Sequence, residues 1–418
     1  MNSIIKPSLL RKTEEYIAMS GSLLARRAQG FGTSIFTEMS ALAVAHKAIN
    51  LGQGFPDFAG PNWIKQAAAD AIAADLNQYA PALGLPSLRQ AVADHWQRNG
   101  WHSVDPATEV TVTSGATEAL AGAILALVDP GDEVIIFEPA YDAYGPDVVI
   151  AGGIPRFVKL YPPKPDAAPE QADWWFDPEE LWAAFNERTK LLMINTPHNP
   201  TGKVFTRSEL EYIAQLCQEH DVIVIADEVY DQLTFDGFQH IPIATLPNMW
   251  ERTLTINSTG KTFSLTGWKI GYAVGPQPLS FAIRQIHQWL TFATATPFQQ
   301  AAAVALNKAE ELGYYAELRS EYSARRSLLT EVLHKAGLPT LPSRGSYFLM
   351  ADISATGHAN DVSFCRWLIN EIGVAAIPPS AFYSDPSSAP LLVRFCFAKE
   401  LSTIEQAGER LAKIKELL

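Results

Sequence analysis

Five short, largely apolar segments constrain the fold of this chain more than any other feature. They lie at residues 110–113, 133–137, 191–195, 222–226 and 253–257, and helical patterns at 118–128 and 208–219 alternate with them. Strands that are apolar on nearly every residue are buried on both faces, which predicts a mainly parallel sheet between layers of helices. Such sheets bind ligands at the carboxyl ends of their strands, so the residues after each strand are the candidate site residues.

The rest of the chain predicts a second, smaller unit. A helical pattern covers 299–336, and strands near 346–352 and 391–397 bracket a helix around 362–372. We therefore predict an α/β fold with a large domain at 60–296 and a smaller α+β domain at 297–418. Residues 1–59 are expected to form an N-terminal arm and to complete the smaller domain, so that both chain ends contribute to it.

Charge and cysteine content exclude several classes of function. The chain has 45 acidic and 32 basic residues, a net charge of −13, which argues against a nucleic acid or an anionic membrane as partner. Cys217, Cys365 and Cys396 are far apart, which fits reduced thiols and neither a disulfide framework nor a metal site. Residues 1–16 lack the apolar core of a signal peptide, and no apolar window approaches the roughly 20 residues that span a bilayer. The sequence predicts a cytoplasmic protein.

A lysine, Lys261, closely follows the last of the five strands. Gly260-Lys261-Thr262 matches the final residues of a phosphate-binding P-loop, but that motif needs a glycine where this chain has Thr255, inside the strand. The alternative is a lysine that forms a Schiff base with an aldehyde cofactor. Pyridoxal phosphate is such a cofactor, and it needs an acid for its ring nitrogen, donors for its phosphate and an aromatic face for its ring.

Two other strand ends provide candidates for the acid and the phosphate donors. Gly115, Ala116 and Thr117 open a helix, where free backbone N–H groups form either an anion site or an ordinary helix cap. Asp227 ends a buried strand, where a carboxylate needs a cationic partner such as a protonated pyridine nitrogen, unless it only caps a helix. Tyr230 follows within reach of the same ring.

Three further residues are candidates with an ordinary structural alternative. Tyr141 follows the strand at 133–137 and either stacks on a cofactor ring or is a partly buried tyrosine without a ligand. Asn199 lies between two prolines, in a rigid binding loop or a plain turn. Arg394 lies within an apolar strand, where its guanidinium pairs with a substrate carboxylate or an internal acid.

Together these motifs resemble the class I aminotransferases, pyridoxal-phosphate enzymes of fold type I, from about residue 31 onward. The markers are Gly-Ala-Thr at 115–117, Asn-Pro-Thr-Gly at 199–202, Asp-Glu-Val-Tyr at 227–230, Ser-x-x-Lys at 258–261, Gly-Trp-Lys-Ile-Gly at 267–271 and Arg394. Segments 34–40, 53–58, 77–81, 347–349 and 375–378 are most similar to bacterial methionine aminotransferases and to kynurenine/glutamine aminotransferases.

The resemblance implies a role for each candidate. Lys261 would be the catalytic residue and would hold pyridoxal 5'-phosphate covalently. The remaining cofactor contacts would come from Asp227 at the ring nitrogen, Asn199 and Tyr230 at the ring oxygen, Tyr141 on the ring face, and Gly115, Ala116, Thr117, Ser258 and Lys269 around the phosphate.

Substrate and subunit contacts follow from the same resemblance. Gly54, Asn199 and Arg394 would hold the α-carboxylate of the substrate. Tyr79 would reach the phosphate of the neighbouring subunit, which implies a homodimer with shared active sites.

The expected substrate is an amino acid without a second charge. Aspartate-specific relatives place an arginine some thirty residues beyond the lysine, whereas residues 290–297 of this chain carry no charge. We therefore predict a sulfur-containing or aromatic amino donor, methionine first, and a 2-oxo acid as acceptor. Candidate pocket walls, for which core packing is an equal alternative, are Phe36, Phe55, Phe348 and Phe382.

Three other activities remain open from the sequence. A cysteine-S-conjugate β-lyase would use the same lysine and cofactor, and kynurenine and succinyl-diaminopimelate aminotransferases share the pattern. A regulatory effector domain would need a DNA-binding module, for which this acidic chain has no room.

Overall fold

The computed structural model describes residues 24–164 and 172–417, so residues 1–23 of the predicted N-terminal arm lie outside the described residues. The strands are β1 Ile49–Asn50, β2 Val110–Ser114, β3 Glu133–Glu138, β4 Ile154–Lys159, β5 Thr189–Asn195, β6 Ile223–Asp227, β7 Thr253–Ser258, β8 Ile270–Val274, β9 Phe348–Asp352, β10 Val374–Ala375 and β11 Leu392–Cys396. The helices up to Leu290 are α1 Ile35–His46, α2 Asn62–Ala73, α3 Pro86–Arg98, α4 Gly115–Leu127, α5 Tyr144–Ala151, α6 Pro178–Ala184, α7 Arg207–Glu219, α8 Thr259–Thr262 and α9 Gln277–Leu290. Those that follow are α10 Thr296–Lys308, α11 Tyr314–Lys335, α12 Asp361–Trp367, α13 Leu401–Leu411 and α14 Ile414–Leu417.

The large sheet has seven strands in the order β2-β8-β7-β6-β5-β3-β4. Pairing is parallel from β4 through to β7, and β8 runs antiparallel to both β7 and β2. The carboxyl ends of β2, β3, β5, β6 and β7 therefore meet at one edge. Because β8 runs the opposite way, its start lies at that edge as well and brings Lys269 there. The predicted α/β fold with a mainly parallel sheet is confirmed.

Two strands of this sheet were not predicted from the sequence. β4 lies at the edge of the sheet, and of its six residues two are exposed and three are partly exposed, so it lacks the continuous apolar character of the others. β8 is fully buried, but its first residues belong to the glycine-rich segment 267–271, which favours a loop by composition. Sheet pairing, rather than local pattern, determines both.

The smaller unit is assembled from the two chain ends, as predicted. β1 pairs in parallel with β10, and β9 pairs antiparallel with β11. One apolar core joins residues from both ends of the chain, including Met39, Leu51, Leu329, Phe364 and Ile404. This core fixes β11, which carries Arg394, against the large sheet's binding edge.

The continuous helix predicted at 299–336 is wrong, since two helices occupy this region. α10 ends at Lys308 and α11 begins at Tyr314, and between them Gly313 has φ of +66°, a left-handed conformation that ends helices. α10 shares an apolar core with α2 and α3. The domain limits remain a prediction, and this packing favours a boundary beyond residue 308.

No helix within residues 24–164 and 172–417 is long and apolar enough to cross a bilayer. In the same residues, no group of three or more histidine, cysteine or acidic side chains is arranged to hold a metal ion.

Candidate active site

A cavity of about 280 Å³ opens at the carboxyl edge of the sheet. Every predicted site residue except Tyr79 lines it: Gly54, Gly115, Ala116, Thr117, Tyr141, Asn199, Asp227, Tyr230, Ser258, Lys261, Lys269 and Arg394. These residues come from six strand ends and from the smaller unit. The fold therefore brings together residues that are up to 340 positions apart in the chain, the span from Gly54 to Arg394.

Lys261 lies in α8, one short turn after β7. Ser258 caps this turn, and its Oγ accepts a hydrogen bond of 3.2 Å from the N–H of Gly260. The Lys261 Nζ donates to the carbonyl of Gly54 at 3.3 Å and lies about 6 Å from the ring centre of Tyr230. Burial lowers the pKa of Lys261 to about 8. An appreciable fraction of this amine is therefore uncharged near neutral pH, the form that attacks aldehydes and accepts protons.

Asp227 is a buried carboxylate at the end of β6. Its Oδ2 accepts a 2.6 Å hydrogen bond from the hydroxyl of Tyr144, and its Oδ1 accepts one of 3.2 Å from the N–H of Val229. Burial raises the pKa of Asp227, while these two donors and the Lys261 charge act in the opposite direction. No cation of the described residues forms a salt bridge with it within 4.0 Å. Such a carboxylate is a suitable partner for a cationic ring nitrogen.

An anion site lies where α4 begins. Gly115 has φ of +75°, and a Cβ added there would lie 3.1 Å from both Cε and Nζ of Lys269. The Lys269 Nζ donates to the Oγ1 of Thr117 at 3.4 Å. Free N–H groups at the helix start, the hydroxyls of Thr117 and Ser258 and one ammonium are the donor set that holds a phosphate.

Arg394 is buried to 1% exposure inside the cavity. Its Nη1 donates to Oδ1 of Asn199 at 2.7 Å and its Nη2 to the carbonyl of Gly52 at 3.0 Å, while its Nε has no protein partner. Burial lowers the pKa of Arg394 to about 10. No carboxylate of the described residues forms a salt bridge with this guanidinium within 4.0 Å, so the internal-acid alternative has no support there.

Aromatic rings surround this guanidinium. The Arg394 Cζ lies 4.0 Å from the ring centre of Phe348 and 5.2 Å from those of Phe36 and Phe382. Phe36 and Phe348 also line the cavity. Phe55, the fourth predicted wall, is 47% exposed and lies outside the lining.

Tyr141, Tyr230 and Tyr79 have different surroundings. Tyr141 lines the cavity beside Tyr144, and burial raises the pKa of Tyr141 to about 12. Tyr230 is buried and packs edge-on against Tyr347. Tyr79 is 84% exposed, contacts the ring of Phe292 and does not reach the cavity of its own chain. Its predicted role therefore requires a second subunit.

Sequence reasoning missed three residues that organise the cavity. Tyr144 contacts Asp227, Asn195 accepts the N–H of Asn199 at 2.7 Å, and the hydroxyl of Tyr347 donates to the carbonyl of Gly54 at 2.5 Å. Asn195 is the last residue of β5, so the strand-end rule signals it. Nothing in the sequence indicates the partners of the two tyrosines.

The mainly parallel sheet and the lysine, aspartate and arginine at its edge define an enzyme of the fold type I α/β class. Residues 46–411 match the family described as aminotransferase class I and II. The chain belongs to this family, whose members use pyridoxal phosphate, and it is an aminotransferase.

Several relatives are similar to this chain over almost their whole length. The chain is 44% identical to methionine aminotransferase of Escherichia coli, covering 92% of this chain and 96% of the relative. It is 42% identical to kynurenine–oxoglutarate transaminase 1 of Rattus norvegicus, covering 96% of this chain and 100% of the relative. It is 43% identical to a probable N-succinyldiaminopimelate aminotransferase of Mycobacterium tuberculosis, covering 93% and 98%.

Solved structures show the same similarity. An Escherichia coli protein described with a methionine aminotransferase function has a TM-score of 0.88 at 43% identity, with 93% of this chain and 99% of that chain covered. N-succinyldiaminopimelate aminotransferase from Mycobacterium tuberculosis has a TM-score of 0.88 at 44% identity, with 94% of this chain and 100% of that chain covered.

Proposed function

We propose that this aminotransferase uses pyridoxal 5'-phosphate to move the amino group of a neutral sulfur-containing or aromatic amino acid, methionine first, to a 2-oxo acid. The observation that carries the proposal is the amine of Lys261, whose pKa is lowered to about 8, in one cavity with buried Asp227 and Arg394. The 44% identity to a methionine aminotransferase supports methionine as the amino donor.

The residues of the cavity fit the cofactor. Lys261 would hold its aldehyde carbon and Asp227 its protonated ring nitrogen, with Tyr144 keeping the carboxylate charged. Asn199 and Tyr230 would bind the ring oxygen and Tyr141 the ring face. The phosphate would lie at the start of α4, among Gly115, Ala116, Thr117, Ser258 and Lys269.

The chemistry is divided between the cofactor and the chain. Pyridoxal phosphate, when bound, supplies an aldehyde that condenses with amines and a ring that accepts an electron pair. Arg394 and the Gly54 backbone orient the α-carboxylate, which sets the position of the substrate Cα. Lys261, as the free amine, takes the proton from Cα. Phe36 and Phe348 line the cavity, and their rings would limit the access of water to a bound substrate.

The charges in the cavity support a neutral substrate side chain. Lys261, Lys269 and Arg394 are the cations among its lining residues, and each is assigned above to the cofactor or to the α-carboxylate. Within the described part of one chain, no lining cation is left for a second carboxylate. The aromatic walls suit a thioether or an aromatic ring instead.

The proposal includes a cytoplasmic homodimer with shared sites. The exposed ring of Tyr79, next to half-exposed Phe292, supports a subunit contact. The cysteines are free and buried, which fits a reducing compartment.

Covalent labelling tests the cofactor assignment. Borohydride reduction of the holoprotein is expected to leave a pyridoxyl group on Lys261 and on no other lysine. Lys261→Ala is expected to fold and to lose turnover, whereas Lys190→Ala, a change at an exposed lysine, retains it. Label elsewhere, or turnover by Lys261→Ala, refutes the assignment.

A panel of donors tests the substrate. Methionine, kynurenine, phenylalanine, aspartate and N-succinyl-diaminopimelate are compared by kcat/KM, and methionine is expected to lead. The 43% identity to a succinyl-diaminopimelate enzyme makes that substrate the second candidate. Release of pyruvate and ammonia from a cysteine conjugate measures β-elimination. Preference for aspartate overturns the neutral-substrate proposal.

A further inference from the structure

Residues 52–58, here called the strap, link β1 towards α2 without forming a helix or strand. Gly54 of the strap lines the active-site cavity. Carbonyls of the strap accept hydrogen bonds from side chains that lie far away in the sequence: Arg394 at Gly52, Tyr347 and Lys261 at Gly54, and Lys399 at Phe55. The position of Gly54 therefore depends on these side chains rather than on regular secondary structure.

Lys399 is the one charged donor of this set that lies outside the cavity lining. It is 3% exposed, and its Nζ donates to the carbonyl of Phe55 at 2.8 Å and lies 5.1 Å from the ring centre of Phe55. Among residues 24–164 and 172–417, no carboxylate forms a salt bridge with it within 4.0 Å. A buried ammonium without an acid costs free energy, which an apolar side chain of similar length avoids. We infer that the ammonium of Lys399 serves to make this hydrogen bond to the strap.

A second contact joins the same two segments beside Lys399. The Oδ1 of Asp57 accepts the N–H of Glu400 at 2.6 Å, and its Oδ2 accepts the hydroxyl of Thr403 at 2.8 Å. These donors are at the start of α13, where the helix dipole favours a carboxylate. Lys399 and Asp57 thus form a two-point latch between the strap and the C-terminal segment.

The latch is directly connected to the proposed carboxylate site. β11 carries Arg394, and Lys399 follows Arg394 by five residues and the end of β11 by three. Arg394 holds the strap at Gly52 and Lys399 holds it at Phe55. Gly54 lies between the two points of attachment, so both determine where its backbone lies relative to the guanidinium.

We propose that Lys399 is a positioning residue for substrate binding. By holding the carbonyl of Phe55, it keeps Gly54 where the α-carboxylate contacts Gly54 and Arg394 together. This inference rests on the proposed function for those two residues. Lys399 itself touches neither substrate nor cofactor.

Lys399→Met removes the charge and keeps the length of the side chain. We expect KM for the amino donor to rise about tenfold while kcat changes by less than about twofold, because the contact to the carboxylate is lost equally in ground and transition states. Lys399→Arg retains a donor and is expected to restore part of the lost affinity. Lys413→Met, at an exposed lysine of the same terminal region, is the matched control and leaves KM unchanged.

Amide hydrogen exchange of the cofactor-free protein gives a second readout that needs no activity. Lys399→Met is expected to accelerate exchange within residues 52–58 and to leave the β2–β8 pair unchanged. Asp57→Asn, which weakens the other point of the latch, is also expected to accelerate exchange within residues 52–58. If Lys399→Met does not fold, this second variant tests whether the latch holds the strap.

Unchanged exchange in the strap, an unchanged KM, or a fall in kcat alone overturns the proposal. A wild-type protein that transfers no amino group refutes the proposed function instead, and the exchange experiment still decides whether the latch holds the strap.

Discussion

The hydroxyl of Tyr144 donates a 2.6 Å hydrogen bond to Oδ2 of Asp227, and both side chains are buried. Tyr144 is the first residue of α5 and Asp227 the last of β6, so the contact exists only because β3 and β6 belong to one sheet. This bond acts against burial, which raises the pKa of Asp227. It helps the carboxylate to stay charged opposite the proposed pyridine nitrogen.

Tyr144→Phe should weaken cofactor binding. A hydrogen bond to a charged group contributes about 1.5–3 kcal/mol, so we expect the dissociation constant of pyridoxal phosphate to rise roughly tenfold or more. The pKa of Asp227 should rise further, because a donor that lowers it is removed. Equilibrium dialysis measures the affinity. Tyr161→Phe, which removes an exposed hydroxyl bound to Glu180, is the control, and equal affinities in the two variants contradict the assignment.

Arg394→Lys should impair binding of every amino acid and 2-oxo acid. A single ammonium cannot replace both the bond to Asn199 and a two-point contact with a carboxylate. We expect KM to rise roughly 100-fold, equivalent to about 2.8 kcal/mol. Steady-state kinetics with two donors checks this. Arg366→Lys, at an exposed pair with Glu38, controls for the loss of a guanidinium, and a normal KM in Arg394→Lys would count against the carboxylate site.

Lys261→Met should stabilise the cofactor-free protein at pH 7. Burial lowers the pKa of Lys261 to about 8 from about 10.4 in an unfolded chain. The unfolded state therefore binds more protons between these values, and wild-type stability rises with pH across this window. We expect the free energy of unfolding of the variant to exceed that of the wild type by about 1–3 kcal/mol at pH 7. This difference should become smaller by pH 10.

Urea unfolding of both cofactor-free proteins at several pH values measures this difference. Lys190→Met, at an exposed lysine, should show no such dependence. If the difference in free energy of unfolding between wild type and Lys261→Met were the same at all pH values, the pKa of Lys261 would not be lowered by folding.

Glu228→Gln should destabilise the fold more at pH 6 than at pH 9. The Glu228 carboxylate lies 2.8 Å from Nε2 of His240, and both side chains are nearly fully buried. Burial lowers the pKa of His240, but the carboxylates of Glu228 and Asp231 together raise it by more, so the net pKa is above 6.5. The stability that the charged imidazole contributes is therefore lost as pH rises through the raised pKa of His240. At the acidic end the pair is lost when Glu228, whose pKa burial raises, takes up a proton.

Thermal or urea unfolding at pH 6 and pH 9 tests this pair. We expect Glu228→Gln to lower the free energy of unfolding by about 1.5–3 kcal/mol at pH 6 and by less at pH 9. Glu331→Gln, at an exposed pair with Lys335, should cost little at either pH. A larger loss at pH 9 than at pH 6 would reverse the predicted sign.

Much of the binding edge could be predicted from the sequence. Continuous apolar character is a local signal of burial, and the polar residue that interrupts it, such as Asp227 in β6 or Ser258 in β7, marks the end of the strand. Parallel strands bring such ends together, so a list of strand ends is already a list of cavity residues. Tyr79 shows the limit of this reasoning, since a residue whose proposed partner is another subunit cannot be tested within one chain.

By itself, the sequence determined five of the seven strands of the large sheet, where those five end and which side chains follow them, because apolar character and strand termini are local properties. Only the tertiary structure decided the antiparallel place of β8, the break between α10 and α11, and the contacts of Tyr144 with Asp227 and of Lys399 with Phe55, which are 83 and 344 residues apart. Such contacts depend on how distant segments are brought together, and no local pattern of residues encodes which polar groups will then meet.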